Sequence, residues 1–336
     1  MDMKKTNENV EMTPIKQIAD EFLKANTILI FPHVLVDGDA LGSAVALCRA
    51  LRQKDKHAYI VLEDKVPEYL EFLDDGLCTL DKDIIQNPDI CVSVDCADPE
   101  RFALRKEKFF SGKTTICIDH HKTAENFAML NHIDGYAAAT AEIVFKILCE
   151  MGISIDKLIG EAIYAAILTD TGSFQYSNTR IETHMIVIKL YEAGIDHTYV
   201  SRMLYQNNRI EKLYIMGKIL NTLKSLADGK VAIVYVTNEM LKEAGALMED
   251  TEGMSEILRN ISGVEVGIFA KETVDNKTKF SMRSKEWADV SEIAMKHNGG
   301  GHTKAAGCTM NKPVFEAVKI IEADVLEYFA KSENGI

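Results

Sequence analysis

Histidine and aspartate residues are concentrated in four short stretches of the N-terminal half of the chain. The first, "HVLVDGDALGS", places His33, Asp37 and Asp39 directly after the apolar run "TILIFP". Imidazole nitrogens and carboxylate oxygens together suit divalent transition metals, whereas aspartate after an apolar run is also a common helix cap or turn residue. Each stretch taken alone therefore allows both interpretations. The other three stretches are "VSVDCADPER" with Asp95, Asp98 and Arg101, "CIDHHKT" with Asp119, His120 and His121, and "ILTDTGSF" with Asp170.

The apolar runs around these stretches predict how the clusters are positioned. The runs "TILIFP", "HAYIVLED", "DICVSVD" and "TTICID" are short and nearly continuous, and they alternate with helical patterns such as "DALGSAVALCRALRQK". This alternation predicts an α/β fold with a mostly parallel sheet whose two faces are covered by helices. Ligands bind outside the carboxyl ends of the strands in such sheets, so we expect the clusters to meet at one edge.

Several carboxylates at neighbouring strand ends would repel one another unless cations were present. Two divalent ions would remove that conflict, and mixed carboxylate and imidazole ligands favour Mn²⁺, with Co²⁺, Zn²⁺ or Mg²⁺ as alternatives. Two adjacent metals form a clamp suited to phosphoryl chemistry. Asp170 lies in the apolar helical run "GEAIYAAILTD", where a buried carboxylate needs either a metal or a hydrogen-bonded partner. His120 and His121 need not share a role, because neighbouring side chains in a strand point to opposite faces.

Composition limits the classes of function. The chain has 336 residues, enough for two domains, and a net charge of −13. This charge disfavours a protein that wraps long duplex nucleic acid, but it allows a small anionic substrate in a local basic pocket. The seven cysteines form no CxxC pair, which indicates buried free thiols in a reducing compartment. No stretch has the length of a transmembrane helix, and residues 1–13 contain no apolar signal region, so we expect a cytoplasmic protein without a membrane partner.

The pattern along the chain predicts two domains and a connector. Strands and helices alternate first, then a helical pattern dominates from Thr140 to about Leu226, and a strand-rich unit follows. The connector offers a surface for a homodimer. The predicted boundaries are residues 14–185 for the first α/β domain, 186–226 for the helical connector and 227–334 for a smaller mixed α/β domain.

Local patterns predict individual elements. An amphipathic helix is expected over residues 14–25, with Ile15, Ile18, Phe22 and Leu23 on its apolar face. The segments "GVEVGIFAKE" and "KTKFSMRS" are typical of a hairpin with "TVDNK" as its loop. A helix is expected over residues 288–297, and a closing helix starts at Pro313. The apolar face of the closing helix is predicted to consist of Val314, Val318, Ile321, Val325 and Phe329.

The four ordered stretches of the first domain, together with a fifth motif in the second domain, resemble a known family. "DHH" at residues 119–121, together with "HVLVDGDALGS" before it, resembles the DHH phosphoesterase superfamily. "FSMRS" and "GGGHTKAAG" resemble the DHH-associated C-terminal domain. The size and layout are similar to the nanoRNase branch, whose members remove nucleotides from very short RNAs and dephosphorylate 3′-phosphoadenosine 5′-phosphate. One departure is Val36, which replaces the usual proline before the first aspartate and leaves metal ligation intact.

The resemblance implies roles for the residues of the first domain. His121 would contact the substrate phosphate or donate a proton, and Asp119, like Asp98, would orient the ligands. Asp95, Asp119 and His121 would thus form the catalytic group, and Arg101 would contact a substrate phosphate. The implied metal ligands are His33 and Asp37 for the first ion, Asp39, His120 and Asp170 for the second, and Asp95 for both.

In the second domain the resemblance implies a substrate-binding group. The glycines of this group would let backbone amides approach an anion closely. Lys285, Lys296 and Lys304 would add a mild basic patch suited to one or two phosphates. The implied substrate-binding residues are Arg283, Ser284, Gly299, Gly300, Gly301 and His302.

The expected function is a two-metal phosphoesterase acting on short RNA or small nucleotides. It would hydrolyse short oligoribonucleotides to nucleoside monophosphates, 3′-phosphoadenosine 5′-phosphate to AMP, or both. A RecJ-like exonuclease would need a further nucleic-acid-binding domain, and a family II pyrophosphatase would lack the "GGGH" motif. A cyclic or linear dinucleotide phosphodiesterase and a non-catalytic nucleotide-binding protein are the alternatives. The intact ligand set argues against the non-catalytic protein.

Overall fold

The computed structural model describes residues 12–333 of the chain, which form two compact units. The units divide between Asn207 and Asn208, inside the segment predicted as a connector. The N-terminal residues 1–11 and the predicted end of the second domain at residue 334 lie outside the described residues. Among the helices of the described range, none is both long and apolar enough to cross a membrane.

A six-stranded sheet with only parallel pairs forms the centre of the first unit. Its strands are β1 (Thr27–Pro32), β2 (His57–Val61), β3 (Cys78–Thr79), β4 (Ile90–Val94), β5 (Thr114–Asp119) and β6 (Leu130–Ile133). The spatial order is β3-β2-β1-β4-β5-β6, so the strand order reverses direction between β1 and β4. Such a reversal opens a crevice at the carboxyl ends of the two central strands, where α/β proteins bind their ligands.

Helices and two 3₁₀ segments cover both faces of this sheet. Ile28 and Ile30 of β1 pack on one face against the helices, whereas Leu29 and Phe31 pack on the other against Phe102 and its neighbours. Successive side chains of a strand alternate between faces, so a strand buried on both sides must be apolar throughout. This confirms the predicted fold class. The helices of this unit are α1 (Ile15–Lys24), α2 (Gly38–Gln53), α3 (Lys106–Phe110), α4 (Thr140–Glu150), α5 (Lys157–Asp170), α6 (Ile181–Glu192) and α7 (His197–Tyr205), with 3₁₀ helices at Glu68–Leu73 and Pro99–Arg105.

The second unit contains a mixed sheet in the order β11-β12-β10-β9-β8-β7. Among its described strands only the pair β8–β9 is parallel, and β9 with β10 forms the predicted hairpin. The predicted apolar face of the closing helix, from Val314 to Phe329, is buried. The strands are β7 (Lys224–Leu226), β8 (Val231–Val236), β9 (Val266–Glu272), β10 (Thr278–Ser284), β11 (Gly300–His302) and β12 (Ala305–Met310). The helices are α8 (Ile210–Leu220), α9 (Asn238–Ala244), α10 (Met254–Arg259), α11 (Val290–Met295) and α12 (Val314–Glu333), with a 3₁₀ helix at Met248–Thr251.

Three local predictions are corrected by the structure. Leu23 is exposed, because the buried face of α1 is formed by Ile18, Ala19 and Phe22. Cys149 is exposed and Cys78 is half-buried, whereas the other five cysteines are buried as predicted. The helical pattern ends at Leu220, and the residues just after it pair with β8 as the short strand β7.

Candidate metal centre

The carboxyl ends of β1, β4 and β5 bring the predicted ligands together. His33 directly follows β1, Asp95 directly follows β4, and His120 follows Asp119 at the end of β5. Two helices complete the set, because α2 begins beside the crevice and α5 ends beside it. The residues brought together in this way are His33, Asp37, Asp39, Asp95, His120 and Asp170.

These residues divide into two groups that share Asp95. His33 Nε2 lies 3.6 Å from Asp37 Oδ2 and 3.7 Å from Asp95 Oδ2. In the second group, His120 Nε2 lies 3.8 Å from Asp39 Oδ2 and 3.5 Å from Asp170 Oδ2. His120 Nε2 also lies 3.6 Å from Asp95 Oδ1, so each oxygen of Asp95 faces one group. The potential donor atoms of His33, Asp37 and Asp95 lie within 4.8 Å of one another, and so do those of Asp39, His120 and Asp170, close enough in each set to surround one ion. A third set within the same distance joins Asp95, His120 and His121.

The histidine rings present a lone pair to the carboxylates. His33 Nδ1 lies 2.6 Å from the carbonyl oxygen of Val34, and His120 Nδ1 lies 3.2 Å from that of Ala137. A carbonyl oxygen only accepts, so each Nδ1 carries the hydrogen and each Nε2 of the neutral ring is an acceptor. Separations of 3.5–3.8 Å from Nε2 to carboxylate oxygens are also too long for a hydrogen bond. The Nε2 lone pairs and the carboxylate oxygens that face them are all acceptors, and a cation placed between them would bind both.

Burial and mutual repulsion raise the pKa of three of the four carboxylates, whereas the pKa of Asp37 is lowered because its contact with His33 outweighs its burial. Burial raises the pKa of Asp39 well above its usual value, and the charges of Asp95, Asp170 and Asp37 raise it further. Burial, followed by the Asp37 charge, also raises the pKa of Asp95. The pKa of Asp170 rises to about 6, mainly through burial, although His120 opposes the shift. Divalent cations would relieve this conflict, so the donor set fits two metal ions.

Close packing of α2 on α5 places Asp39 beside Asp170. A Cβ atom at Gly42 would come within 2.5 Å of the carbonyl oxygen of Ala162 and 2.9 Å of the Ala166 side chain. Glycine at this position therefore lets the two helices approach backbone to backbone. The N-terminus of α2 and the C-terminus of α5 consequently reach the same point of the crevice. Asp37 also caps α2, because its Oδ1 accepts from Ala40 N at 3.0 Å.

His121 points to a different partner from His120. His121 Nδ1 lies 2.7 Å from Asp119 Oδ1, and this hydrogen bond raises the pKa of His121 to about 9. The ring is 40% exposed and lies 3.6 Å from Asp95 Oδ1. Asp119 is fully buried, and its Oδ2 has no hydrogen-bond partner among residues 12–333. The arrangement places a partly exposed imidazole, oriented by Asp119, beside Asp95.

Asp98 and Arg101 lie at the edge of this arrangement. Asp98 Oδ1 accepts from Glu100 N at 2.8 Å and so caps the 3₁₀ helix Pro99–Arg105. The carbonyl oxygen of Arg101 accepts from Val34 N at 3.0 Å, which fastens the 3₁₀ helix to the loop after His33. Asp98 therefore has a capping role here, and Arg101 lies beside the first group.

Comparison with known proteins agrees with this geometry. The DHH family, N-terminal domain, matches residues 27–167, and the DHHA1 domain matches residues 228–329. The bifunctional oligoribonuclease and PAP phosphatase NrnA of Thermus thermophilus is 32% identical over 299 residues, 88% of each chain. The chain belongs to the DHH family. Its predicted ligands all lie inside the DHH match except Asp170, which follows it by three residues.

Two further proteins are similar to most of the chain. The bifunctional oligoribonuclease and PAP phosphatase NrnA of Bacillus subtilis is 27% identical over 288 residues, 85% of this chain and 90% of the relative. The crystal structure of an exopolyphosphatase-related protein from Bacteroides fragilis has a TM-score of 0.88 at 28% identity. That match covers 94% of this chain and 96% of the other. This chain therefore shares its two-unit architecture with that crystal structure.

The DHHA1 match contains the predicted substrate-binding residues. Two of them, Arg283 and Ser284, already have partners within the second unit. Arg283 Nε lies 2.8 Å from Glu256 Oε1, so a carboxylate already pairs with this guanidinium. The hydroxyl of the buried Ser284 donates to the carbonyl oxygen of Thr303. Lys296 pairs with Asp324 and Glu327, so the predicted basic patch is weaker than expected.

The glycine-rich segment forms the exposed strand β11. Gly300 and His302 are exposed on this strand, which pairs with β12. A Cβ atom at Gly299 or Gly301 would come within 2.4 Å of a carbonyl oxygen of the β12 strand, whereas one at Gly300 would meet nothing within 4 Å. Close pairing of the two strands therefore explains two of the three glycines.

Sequence reasoning missed the residues whose hydrogen bonds orient the candidate ligands Asp39 and Asp170. Thr140 N donates to Asp39 Oδ2 at 2.6 Å, and Ala141 N donates to Asp39 Oδ1 at 3.1 Å. The Ser43 hydroxyl donates to Asp39 Oδ1 at 2.9 Å. The side-chain amide of Asn178 donates to the carbonyl oxygens of Ala138 and Asp170, each at 3.0 Å. The polar residues in "DALGS", in the small-residue run "AAATAE" and in "YSNT" are the sequence signals for these contacts.

Proposed function

We propose that this DHH protein is a metal-dependent phosphoesterase that hydrolyses short oligoribonucleotides to nucleoside monophosphates and dephosphorylates 3′-phosphoadenosine 5′-phosphate. The observation that carries the proposal is the pair of adjacent imidazole–carboxylate groups, with Asp95 between His33 of one group and His120 of the other. Two adjacent divalent ions are suited to phosphoryl transfer. The relatives from Thermus thermophilus and Bacillus subtilis, both named bifunctional oligoribonuclease and PAP phosphatase, support the choice of substrates.

The proposed metal ligands follow the two groups. His33 and Asp37 would hold the first ion, Asp39, His120 and Asp170 the second, and Asp95 both. Mn²⁺ suits this mixture of imidazole and carboxylate donors best, with Co²⁺, Mg²⁺ and Zn²⁺ as alternatives. When bound, the ions supply Lewis-acid chemistry, which polarises the phosphoryl oxygens and offsets the negative charge that develops on them.

The residues around the ligands would orient the reaction. Asp119 holds His121 by the 2.7 Å hydrogen bond at Nδ1, which leaves the Nε2 of the protonated ring to donate. We assign Nε2–H of His121 to a phosphoryl oxygen or to the leaving oxygen. Arg101, beside the first group, would bind a further phosphate oxygen, because its guanidinium matches phosphate geometry.

The second unit would bind the substrate and limit its size. We assign Arg283 and His302 to a phosphate or base of the nucleotide, with Ser284 and residues 299–301 shaping the same surface. Binding to Arg283 would replace its ion pair with Glu256, which is partly exposed and therefore weak. The net charge of −13 opposes long polyanions, in keeping with short substrates.

One assay tests the proposal. The full chain is incubated with Mn²⁺ and 5′-phosphorylated RNAs from dinucleotide to pentanucleotide, a long single-stranded RNA, and 3′-phosphoadenosine 5′-phosphate. We expect nucleoside monophosphate from the short RNAs, AMP from the phosphorylated adenosine, and a spared long strand. Inactivity on all of these substrates with Mn²⁺, Co²⁺, Mg²⁺ and Zn²⁺ would overturn the proposal.

A homodimer formed through residues 185–226 stays a prediction. Within this segment, helix α6 exposes Met185 and Ile188, which are three positions apart and therefore on one side of the helix. Exposed apolar side chains on one helix face suit a contact between chains. Sedimentation of the full chain measures the oligomeric state, and a monomer at all concentrations would contradict this prediction.

A further inference from the structure

Thr140, the first residue of α4, contacts both groups of the centre. Its backbone N–H donates to Asp39 Oδ2 at 2.6 Å, and its hydroxyl donates to Asp95 Oδ1 at 2.9 Å. Thr140 is fully buried, so neither contact competes with water. One residue therefore binds a carboxylate of the second group through its backbone and the shared carboxylate through its side chain.

The start of α4 depends on Asp39 for its cap. The N-cap residue, Ala139, has no side chain that could accept from the first turn. The first N–H groups of a helix have no partner inside the helix and favour a negative charge. Asp39, 101 positions earlier in the chain, fills this role by accepting from Thr140 and Ala141. The position of the Asp39 carboxylate is thereby fixed by α4.

The hydroxyl of Thr140 acts on one particular oxygen of Asp95. Asp95 Oδ1 is the oxygen that faces His120 of the second group, whereas Oδ2 faces His33 of the first group. The hydroxyl donates to Oδ1 alone. A carboxylate with one oxygen held can rotate less about its side-chain bond, so both oxygens keep their directions.

We propose that Thr140 is a positioning residue that aligns the two metal sites with each other, an inference that rests on the proposed metal centre. The backbone N–H holds Asp39, and the hydroxyl holds the oxygen of Asp95 that serves the second group. Loss of the hydroxyl weakens the second ion more than the first. Thr140 would act through Asp39 and Asp95 and not on an ion directly.

Three substitutions separate the two contacts. Thr140→Val keeps the shape and the backbone N–H but removes the hydroxyl, whereas Thr140→Ser keeps both donors. Thr140→Pro removes both, and the first helical position accepts proline when the preceding residue is extended, as Ala139 is. The matched control is Thr278→Val, which removes a buried hydroxyl that donates to the carbonyl oxygen of Lys312 in the second unit.

The test is a titration of chelator-treated full chain with Mn²⁺, in which paramagnetic resonance measures the free ion and no substrate is present. We expect two ions per chain in the wild type. In Thr140→Val the weaker binding step should lose about tenfold or more in affinity, the typical effect of removing an outer-shell partner. Thr140→Ser and Thr278→Val should bind as the wild type does. Thr140→Pro should bind more weakly than Thr140→Val, because it also releases Asp39.

The outcomes distinguish a failure of the proposed metal centre from a failure of the proposed positioning role of Thr140. A wild-type chain that binds no Mn²⁺ would overturn the metal centre itself. Two ions in the wild type and unchanged affinities in Thr140→Val would overturn only the positioning role. Equal losses in Thr140→Ser and Thr140→Val would also overturn it, because the hydroxyl would not be the cause. If Thr140→Val does not fold, as judged by its thermal transition without metal, Thr140→Ala carries the same comparison with Thr140→Ser.

Discussion

Asp95 lies between the two groups of the proposed metal centre. The sequence pointed to it because it ends an apolar strand, and the structure adds that its backbone has a positive φ of 56°. Aspartate tolerates this conformation better than most residues, and such outliers cluster at functional sites. Asp95 N donates to the carbonyl oxygen of Ile118 at 3.0 Å, so the backbone of Asp95 is still bonded to the neighbouring strand. This hydrogen bond fixes the point at which the side chain projects from the sheet.

Replacement of Asp95 by asparagine should remove activity without loss of fold. The asparagine side chain would keep the shape but would offer one neutral oxygen in place of two charged ones, so we expect hydrolysis to fall about a thousandfold or more. The melting temperature of the metal-free protein should not fall, because one buried charge is removed from a repulsive cluster. Asp98→Asn is the matched control, since asparagine also caps a helix, and it should stay within about twofold of the wild-type rate. Similar rates for the two variants would contradict the assignment.

Asp170 makes the stability of the metal-free protein depend on pH. Its pKa in the folded chain is about 6, above the ordinary value of 3.8, because it is buried. The folded state therefore binds the proton more tightly than the unfolded state, so its contribution to stability grows as the pH falls from about 7 towards 4. Protons also compete with metal, so Mn²⁺ binding should weaken below pH 6.

A comparison with Asp170→Asn isolates this effect. His132 acts in the opposite direction, because burial lowers its pKa below the ordinary value. We therefore expect the melting temperature of metal-free wild type to rise relative to Asp170→Asn as the pH falls from about 7.5 to about 5. Calorimetry across this range measures the difference. A constant difference between the two proteins would contradict the assigned pKa.

At the level of elements, the approach of α2 to α5 determines whether Asp39 meets Asp170. Gly42→Ala would place a methyl group 2.5 Å from the carbonyl oxygen of Ala162. Overpacking of this kind costs about 1–3 kcal/mol, and the displaced helices should also weaken Mn²⁺ binding. Gly217→Ala in α8 is the control, because its Cβ would meet nothing, and it should gain about 0.5–1 kcal/mol. Calorimetry of both variants measures these changes. A stabilised Gly42→Ala would contradict the argument.

The sequence predicted those elements whose evidence is local. Strand β1 was identifiable because both its faces are buried and every residue from Ile28 to Phe31 is apolar. The candidate ligands His33 and Asp95 were identifiable because they directly follow strands. The role of Thr140 was not predictable, since its partners lie 101 and 45 positions away. For the same reason the pairing of Arg283 with Glu256, 27 positions apart, escaped notice. Contacts of this kind depend on the packing of whole elements, which residue patterns do not contain.

At the scale of the molecule, removal of metal should affect one unit only. All six proposed ligands lie between residues 33 and 170, within the first unit. A ligand that binds only the folded state at a hundred times its Kd stabilises by about 2.7 kcal/mol. Calorimetry with Mn²⁺ and then with a chelator should therefore shift the transition of the first unit and leave that of the second in place. A shift confined to the second unit would contradict the ligand assignment.

We expect the second unit to determine the affinity for substrate, and replacement of Arg283 tests this expectation. Arg283→Ala should raise KM about tenfold or more with little change in kcat, the expected loss of a charged hydrogen bond to phosphate. Glu256→Gln should lower KM, because it removes the carboxylate that lies 2.8 Å from the guanidinium and competes with substrate. Lys279→Ala, an exposed cation on the same strand, controls for the loss of charge alone and should leave KM unchanged. If Arg283→Ala and Lys279→Ala raise KM equally, the general charge of the surface, and not a contact of Arg283, determines binding.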